Sequence, residues 1–185
     1  MDTRVRDITL ADRVDPAEAA WWRVSRPVLS HIGEVVEQAD LEGRTVACFQ
    51  HVRPDTPPIL LPLVRAGATV RLAAVNADST DDTAAAVLAR SGVEIWAWSG
   101  MTEEERRHGL EQLVAEPADA LSDMGGELIA AVAAHEGPFP DAALEATTSG
   151  IHRLGSQNIP FPVFDWNDIP LKDRIHNRHH VGMQA

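Results

Sequence analysis

From about residue 45 onwards, short apolar runs alternate with segments whose apolar residues recur at helical spacing, and this alternation constrains the fold most strongly. The runs with the length and composition of strands are TVACFQHV, TVRLAAVN, VEIWAWSG and ADALSDMGG. The helical segments between and after them are ILLPLVRAG, DDTAAAVLARSG, TEEERRHGLEQLVAE and ELIAAVAAHEG. Strands that alternate with helices across short connections predict an α/β fold with a doubly wound, Rossmann-like parallel sheet.

The chain is predicted to form a single domain with a helical N-terminal segment. Its 185 residues have the length of one domain. Residues 1–40 form the helical segment in this prediction, because apolar side chains recur at helical spacing from Ala17 to Glu37 and Pro27 interrupts them with a kink. Residues 41–185 form the α/β domain, which has further short elements at ALEATTSG and PFPVFDWND.

Charge and cysteine content exclude several classes of function. The 16 Lys and Arg against 28 Asp and Glu give a formal charge of -12, which repels nucleic-acid phosphates and anionic lipid head groups. No stretch approaches the ~18 apolar residues of a membrane span, and the N-terminus lacks the apolar core of a signal peptide. The single cysteine, Cys48, excludes an intrachain disulfide. We therefore expect a cytoplasmic protein that binds neither nucleic acid nor membranes.

Polar residues at the carboxyl ends of the predicted strands mark a candidate ligand site. Ligands of doubly wound sheets bind in the crevice beyond these ends. The residues expected there are His51, Asn76, Asp123 and the polar residues after Leu144. His51 is also compatible with a satisfied polar residue that has no functional role.

Several collinear motifs resemble the S-adenosylhomocysteine hydrolase family over nearly the whole chain. In order they are VRDITLA, RPVLS, VNADSTDDTAAAVLARSGVEIWAWSGMTEEE, DMGGEL, EATTSGIHRL, FPVFDWND and LKDRIHN. The resemblance is to the substrate-binding domain of that family, and it implies a shared fold rather than an identical function. The sequence contains no G-x-G-x-x-G fingerprint, so we expect no NAD-binding domain in it.

The resemblance implies a chemistry in which NAD oxidises the ribose 3′-hydroxyl, a base removes the acidified C4′ proton, and homocysteine leaves C5′. At the matching positions it implies catalytic roles for His51, Lys172 and Asn177. It also places the carboxylate of Asp55 against the adenine. With the strand-end residues, the substrate-binding candidates are Asp55, Asn76, Asp123, Thr147 and His176.

The same resemblance assigns contact with NAD to the run Thr147, Thr148 and Ser149. We expect this chain to bind no cofactor alone, so NAD would reach these residues only if a partner supplied the NAD-binding domain. The family completes its substrate domain with segments that follow the NAD domain. Their absence predicts uncovered apolar surface, and therefore a homo-oligomer or a partner chain.

Four positions depart from the family pattern around the ribose. Met124 stands where the family has an aspartate proposed as acid or base, and Ala146 stands where it has a glutamate that binds ribose hydroxyls. His176 replaces an aspartate, and Arg53 replaces a threonine. The loss of three carboxylates and the gain of a cation invert the local charge.

The C-terminal histidines allow a metal-binding interpretation. His176, His179 and His180, with His152 as a remote candidate, have the spacing of imidazoles on one helical face. No cysteine or carboxylate is interleaved with them in the polar tail, so we predict no metal site.

Two other features favour structural interpretations. The glycines of DMGGEL fit a tight turn between strand and helix, with Glu127 as an acid in the first helical turn. Met124 with Trp96, Trp98 and Trp166 fits an altered apolar pocket, although tryptophans at strand ends are more often packing residues.

Three functions are compatible with these observations. The first is a truncated, divergent family member that binds a nucleoside such as adenosine or S-adenosylhomocysteine, or acts on a modified ligand without NAD redox chemistry. The second is the substrate half of a two-chain NAD-dependent hydrolase. The third is a non-catalytic interaction or regulatory module. Met124 and Ala146 favour the first.

Overall fold

A seven-stranded parallel sheet organises the chain. The computed structural model describes residues 1–17, 25–170 and 172. The strands are β1 (Arg4–Val5), β2 (Thr45–Gln50), β3 (Thr69–Ala74), β4 (Glu94–Ala97), β5 (Ala120–Asp123), β6 (Ala142–Glu145) and β7 (Val163–Asp165). Their order is β1-β4-β3-β2-β5-β6-β7, and every neighbouring pair is parallel. The predicted α/β class and doubly wound topology are confirmed.

Helices connect the strands and cover the sheet. They are a 3₁₀ helix (Ile8–Arg13), α1 (Pro27–Val36), α2 (Thr56–Arg65), α3 (Asp82–Arg90), α4 (Glu103–Val114), α5 (Glu127–Ala134) and α6 (Thr148–Leu154). Their starts follow familiar rules. Asp81 caps α3 by accepting from the amide of Ala84, and Thr102 and Glu105 form a capping box on α4.

The core lies around the two central strands. In β2 the residues from Ala47 to Gln50 are buried, and in β3 all residues after Thr69 are buried. Such continuous burial explains why both strands have nearly uninterrupted apolar sequences, since helices cover both faces of a parallel sheet. Cys48 is 1% exposed, and burial raises the pKa of its thiol to about 12.

The N-terminal segment differs from its prediction. Residues 1–40 were predicted to be helical, yet Arg4–Val5 pairs with Trp96 and Ala97 and forms the edge strand of the sheet. A strand of two residues is too short to show a periodic pattern. Pro27 does interrupt the helical segment, because Arg26 is non-helical and α1 begins at Pro27. The part of the predicted first helix at residues 18–24 lies outside the described residues.

No helix among residues 1–17, 25–170 and 172 is long and apolar enough to cross a membrane.

Candidate functional site

The strand order creates a crevice between β2 and β5. From β2 the chain continues to β3 on one side, and from β5 it continues to β6 on the other. Ligands of doubly wound sheets bind where the order reverses in this way, beyond the carboxyl ends of the strands. His51 follows β2 directly and Met124 follows β5, whose backbone is joined to β2 by a 3.0 Å hydrogen bond from Met124 N to Phe49 O. We call the space between these two strand ends the strand-end crevice.

His51 is half-buried at this position, and one of its ring nitrogens is engaged. Its Nδ1 lies 2.5 Å from Oγ of Ser79, in the loop after β3. Burial, and then the positive charge of Arg53, lower the pKa of His51. The imidazole is therefore neutral at neutral pH, which is the form that accepts a proton.

Backbone hydrogen bonds hold the loop after β3 against the His51 segment. The amide of Val75 donates to Gln50 O at 3.1 Å, and the amide of Asp81 donates to Val52 O at 2.7 Å. Asn76, predicted to bind substrate, organises this loop: its Oδ1 accepts from the amide of Asp78 at 2.8 Å.

Asp123 lies in the protein interior rather than in the crevice. It is 0% exposed, and its Oδ2 accepts from the amide of Ile129 in α5 at 2.9 Å. Burial, together with a smaller effect of the negative charge of Glu145, raises its pKa to about 7 against the effect of that hydrogen bond. Oδ1 is buried with no hydrogen-bond partner among the described residues. The carboxyl group of Asp123 therefore has no surface exposed to the crevice in this structure.

Glu145, which the sequence analysis included only as one of the polar residues after Leu144, organises the turn after β5. It is 0% exposed, and Asp123 is its neighbour across the β5–β6 ladder. Its carboxylate accepts from the amides of Gly125 and Gly126, at 3.1 and 2.9 Å, and from the amide and hydroxyl of Thr147, at 2.7 and 2.6 Å. The glycines adopt φ of 119° and 72°, as expected for the tight turn. A lone glutamate inside an apolar strand was the available signal.

Thr147 and Thr148 serve the β6–α6 connection. Thr147 caps α6 by accepting from the amide of Gly150, and its hydroxyl donates to Glu145. Thr148 Oγ1 donates to Oδ1 of Asn167 at 3.1 Å. Ser149 Oγ lies 3.2 Å from Thr147 Oγ1.

Lys172 reaches the end of β6. Its Nζ donates to Ala146 O and, at 3.1 Å, to Asn167 Oδ1. Within the described part of the chain its ammonium has only neutral oxygens as partners. Its positive charge is therefore available to polar ligand atoms. Two further predicted site residues, His176 and Asn177, lie outside the described residues.

Asp55 is at the N-terminus of α2 and forms an ion pair across to Arg26, with 3.8 Å between Oδ2 and the guanidinium nitrogen. Both side chains are at least a third exposed. Arg53, in the same loop, is exposed and donates its amide to Thr56 Oγ1.

The residues at the helix N-termini do not fit the phosphates of a dinucleotide. A phosphate cradle needs free amides at the first turn of the helix. At α2, Pro57 and Pro58 have no amide proton to offer. At α5 the amides of Gly125 and Gly126 already bind Glu145. The N-termini of α2 and α5 therefore do not form such a phosphate cradle.

A groove lies outside the strand-end crevice. It has a volume of about 810 Å³ and is formed mainly by α1, α2 and α3, with Pro54 and Asp81 among its lining residues. Neither His51 nor Ser79 lines it. A second cavity of about 200 Å³ lies near the opposite ends of the strands, between Glu116 and Pro140.

The tryptophans do not form a pocket with Met124. Trp96 and Trp98 are buried around β4, with ring centroids 5.3 Å apart, and the guanidinium of Arg4 lies 4.3 Å from the Trp98 ring. Two strands separate β4 from β5. Trp166 is 50% exposed. The packing interpretation therefore holds for Trp96 and Trp98.

Among the described residues no group of three or more His, Cys, Asp or Glu side chains could hold a metal ion. The predicted candidates His179 and His180 lie outside those residues with His176, while His152 is exposed on α6.

Comparison with known families gives the same assignment as the motifs. A family model described as S-adenosyl-L-homocysteine hydrolase matches residues 2–150. The chain belongs to this family. The match spans the strand-end crevice, including His51, Ser79, Met124 and Glu145.

Curated members of the hydrolase family match over the whole of this chain. An S-inosyl-L-homocysteine hydrolase of Methanopyrus kandleri is 35% identical over 98% of this chain and 44% of its own length. An adenosylhomocysteinase of Sulfurisphaera tokodaii is 31% identical over 100% of this chain and 46% of its own. The chain thus spans about half the length of the curated relatives it matches. Among solved structures, a shikimate dehydrogenase of Mycobacterium tuberculosis covers 71% of this chain and 50% of its own, with a TM-score of 0.41 and 18% identity.

Proposed function

We propose that this family member binds a nucleoside thioether of the S-adenosylhomocysteine type in the strand-end crevice, without carrying out NAD-dependent hydrolysis by itself. The observation that carries the proposal is His51, a neutral, half-buried imidazole held at the topological switch point by a hydrogen bond with Ser79 of the neighbouring loop. Relatives whose names specify S-inosyl- and S-adenosyl-homocysteine support this ligand class.

Groups on the two sides of the crevice suit the ribose of such a ligand and its thioether or base. Lys172 and Thr148 meet at Asn167 near the end of β6 and present a cation and a hydroxyl. Ribose hydroxyls can accept hydrogen bonds from an ammonium group, and they can both donate to and accept from a threonine hydroxyl. Met124 on the other side offers apolar contact to a thioether or a base.

The proposal excludes independent redox catalysis for two reasons. Methionine at 124 and alanine at 146 cannot exchange protons, so the acid or base and the ribose-binding carboxylate implied by the family resemblance have no counterpart at these positions. In addition, Pro57 and Pro58 in α2 have no amide proton for a dinucleotide phosphate, and the amides of Gly125 and Gly126 before α5 are bound to Glu145.

Ligand-dependent thermal stabilisation tests binding. A ligand that binds only the folded state stabilises it by about 2.7 kcal/mol at 100 times its Kd. We expect S-adenosylhomocysteine, S-inosylhomocysteine or adenosine to raise the melting temperature of the wild-type chain. His51→Ala should reduce the shift, whereas His152→Ala, at an exposed position on α6, should retain it. No shift with any of the three ligands would refute the proposal.

The catalytic part needs a separate assay. Incubation with S-adenosylhomocysteine and NAD, followed by detection of free thiol, should give no homocysteine above the protein-free control. Release at an enzyme-like rate would show that the substitutions at Met124 and Ala146 are tolerated, and would contradict the non-redox assignment.

A second candidate, the substrate half of a two-chain hydrolase, is favoured by an exposed apolar stripe. Val28, Ile32 and Val35 lie at i, i+4 and i+7 on α1 and are 71%, 52% and 56% exposed. Such a stripe fits a partner chain or a second copy of this chain. Thr147, Thr148 and Ser149 would then meet NAD supplied by the partner. Mixing with an isolated NAD-binding domain of a relative should produce a complex and homocysteine release if this candidate is correct.

The fully buried thiol of Cys48, whose pKa is about 12, is protected from oxidation and compatible with the expected cytoplasmic location.

A further inference from the structure

The hydrogen-bonding capacity of Ser79 determines which nitrogen of His51 carries the proton. Ser79 Oγ lies between two partners: His51 Nδ1 at 2.5 Å and the backbone oxygen of Asn76 at 3.2 Å. A serine hydroxyl has one proton to donate and two lone pairs that accept. It therefore cannot donate to both partners at once.

Counting the hydrogen bonds separates the two possible arrangements. If Ser79 donates to His51 Nδ1, the contact with Asn76 O has no proton, and one bond forms. If Ser79 donates to Asn76 O, its lone pair accepts a proton from His51 Nδ1–H, and both bonds form. Consecutive bonds of this kind also polarise one another and become stronger.

We propose that Ser79 is a positioning residue that fixes the neutral imidazole of His51 as the Nδ1–H tautomer. Nε2 then carries the free lone pair. No side chain of residues 1–17, 25–170 or 172 forms a hydrogen bond with Nε2. The proton acceptor of the crevice is therefore Nε2, and when it takes a proton the imidazolium keeps its Nδ1–H bond to Ser79.

Hydrogen bonds in the loop after β3 stabilise the contact between Ser79 and His51. Thr80 Oγ1 also donates to Asn76 O, at 2.8 Å, and the amide of Asp81 is bonded to Val52 O at 2.7 Å. On the other side, Thr56 Oγ1 donates to His51 O at 3.2 Å. The bonds from Val75 N to Gln50 O and from Asp81 N to Val52 O join the two backbones on either side of the contact, so the Oγ–Nδ1 distance is set by the fold.

The tautomer is measurable without any ligand. In a long-range ¹H–¹⁵N correlation spectrum of the ¹⁵N-labelled chain, the His51 ring, assigned with His51→Gln, should show a protonated Nδ1 and an unprotonated Nε2 above its pKa. In Ser79→Ala the bond is lost, so the ring should shift towards the Nε2–H form. Ser79→Thr retains the hydroxyl and should restore the wild-type pattern. Ser156→Ala, a serine whose hydroxyl donates to Arg153 O, should leave the His51 signals unchanged.

An Nε2–H pattern in the wild-type chain would overturn the inference, and this spectrum decides the matter even if Ser79→Ala does not fold. The role of Nε2 as acceptor rests on the proposed function, but the tautomer does not. A wild-type chain that fails to bind nucleosides and still shows the Nδ1–H pattern would refute the ligand proposal alone.

Discussion

At the residue scale, Asp123 and Glu145 form a buried carboxyl pair at the ends of adjacent strands. Their Cα atoms are partners in the β5–β6 ladder, and both side chains are 0% exposed. The carboxyl oxygens of Glu145 accept hydrogen bonds from four donor groups of Gly125, Gly126 and Thr147. Burial, with a smaller effect of the nearby Glu145 charge, raises the pKa of Asp123, which therefore retains its proton to higher pH than an ordinary aspartate.

This pair predicts a pH-dependent stability that Asp123→Asn removes. The pKa of Asp123 is raised from 3.8 to about 7 in the folded chain, so the folded state binds the proton more tightly than the unfolded state. The stabilisation is complete below about pH 4 and is lost as pH rises to about 7. Asparagine is neutral throughout. Across this window we expect the free energy of unfolding of Asp123→Asn, relative to wild type, to rise by roughly 2 to 4 kcal/mol. The difference in melting temperature between the two chains should rise with it.

The measurement is thermal unfolding of both chains at half-unit steps of pH. Arg106 and Glu127 are the other charged groups near the pair, since Arg106 lies over the Phe49 ring and binds Glu127 at 3.0 Å. They are unchanged in both chains and cancel in the difference. Glu136→Gln, at an exposed position, should show a flat difference. A flat difference for Asp123→Asn would contradict the assignment of the proton to this carboxyl.

Sequence analysis located His51 at a strand end but could not separate surface from interior among the carboxylates. Asp123 also lies at a strand end, yet its side chain is buried and accepts a hydrogen bond from the amide of Ile129 in α5. The role of Glu145 was not predicted because it depends on Gly125 and Gly126, which are 20 and 19 residues away. Such contacts exist only after β5 and β6 pair, and no local pattern encodes that register.

At the element scale, α6 approaches β6 so closely that only glycine fits at the contact. A Cβ on Gly150 would collide with the carboxyl group of Glu145. Gly150→Ala should therefore destabilise the fold by at least about 2 kcal/mol, because a fully engaged buried anion cannot move aside. Gly155 follows the same helix, has a φ of -59°, and a Cβ there would come no closer than 3.4 Å to Ile151 O.

Gly155→Ala is the matched control and should change stability by no more than about 0.5 kcal/mol. Urea unfolding of the two variants measures the difference. Equal midpoints would show that Glu145 is not held as rigidly as its hydrogen bonds imply.

Elements with long periodic patterns were predictable, and short elements were also expected around β6 and β7, but the two-residue β1 was not. Strands β2 to β5 and helices α2 to α5 occur where expected. Each is buried on one or both faces, so its apolar residues recur in a pattern that the sequence shows. β1 has two residues and depends on pairing with β4. Its position adds an edge strand to a segment that was predicted to be helical.

At the scale of the whole molecule, the stripe Val28, Ile32 and Val35 leads us to expect association through α1. Ile32→Lys places a charge in the stripe and should shift the molecular mass found by light scattering towards the monomer. His31→Lys adds the same charge at a neighbouring position that is 77% exposed and outside the stripe, so it should leave the mass unchanged. A wild-type chain that is already monomeric at high micromolar concentration would contradict self-association.

The architecture positions ligand-binding groups without determining the chemistry they perform. Family membership followed from collinear motifs and the doubly wound class from the alternation of strands and helices, whereas the state of the site depends on a few positions such as Met124 and Ala146. A substitution at one of these positions leaves the fold unchanged and removes a proton-transfer group. For that reason the sequence predicted the crevice better than its activity.

Calorimetric titration of S-adenosylhomocysteine into the wild-type chain and into His51→Ala measures whether the strand-end crevice binds a nucleoside thioether. We expect saturable binding of one ligand per wild-type chain, with the ligand recovered intact. Loss of a hydrogen bond worth about 1.4 kcal/mol should weaken the affinity of His51→Ala about tenfold. Absence of saturable heat in the wild type, or equal affinities for the two chains, would contradict a nucleoside site at the ends of β2 and β5.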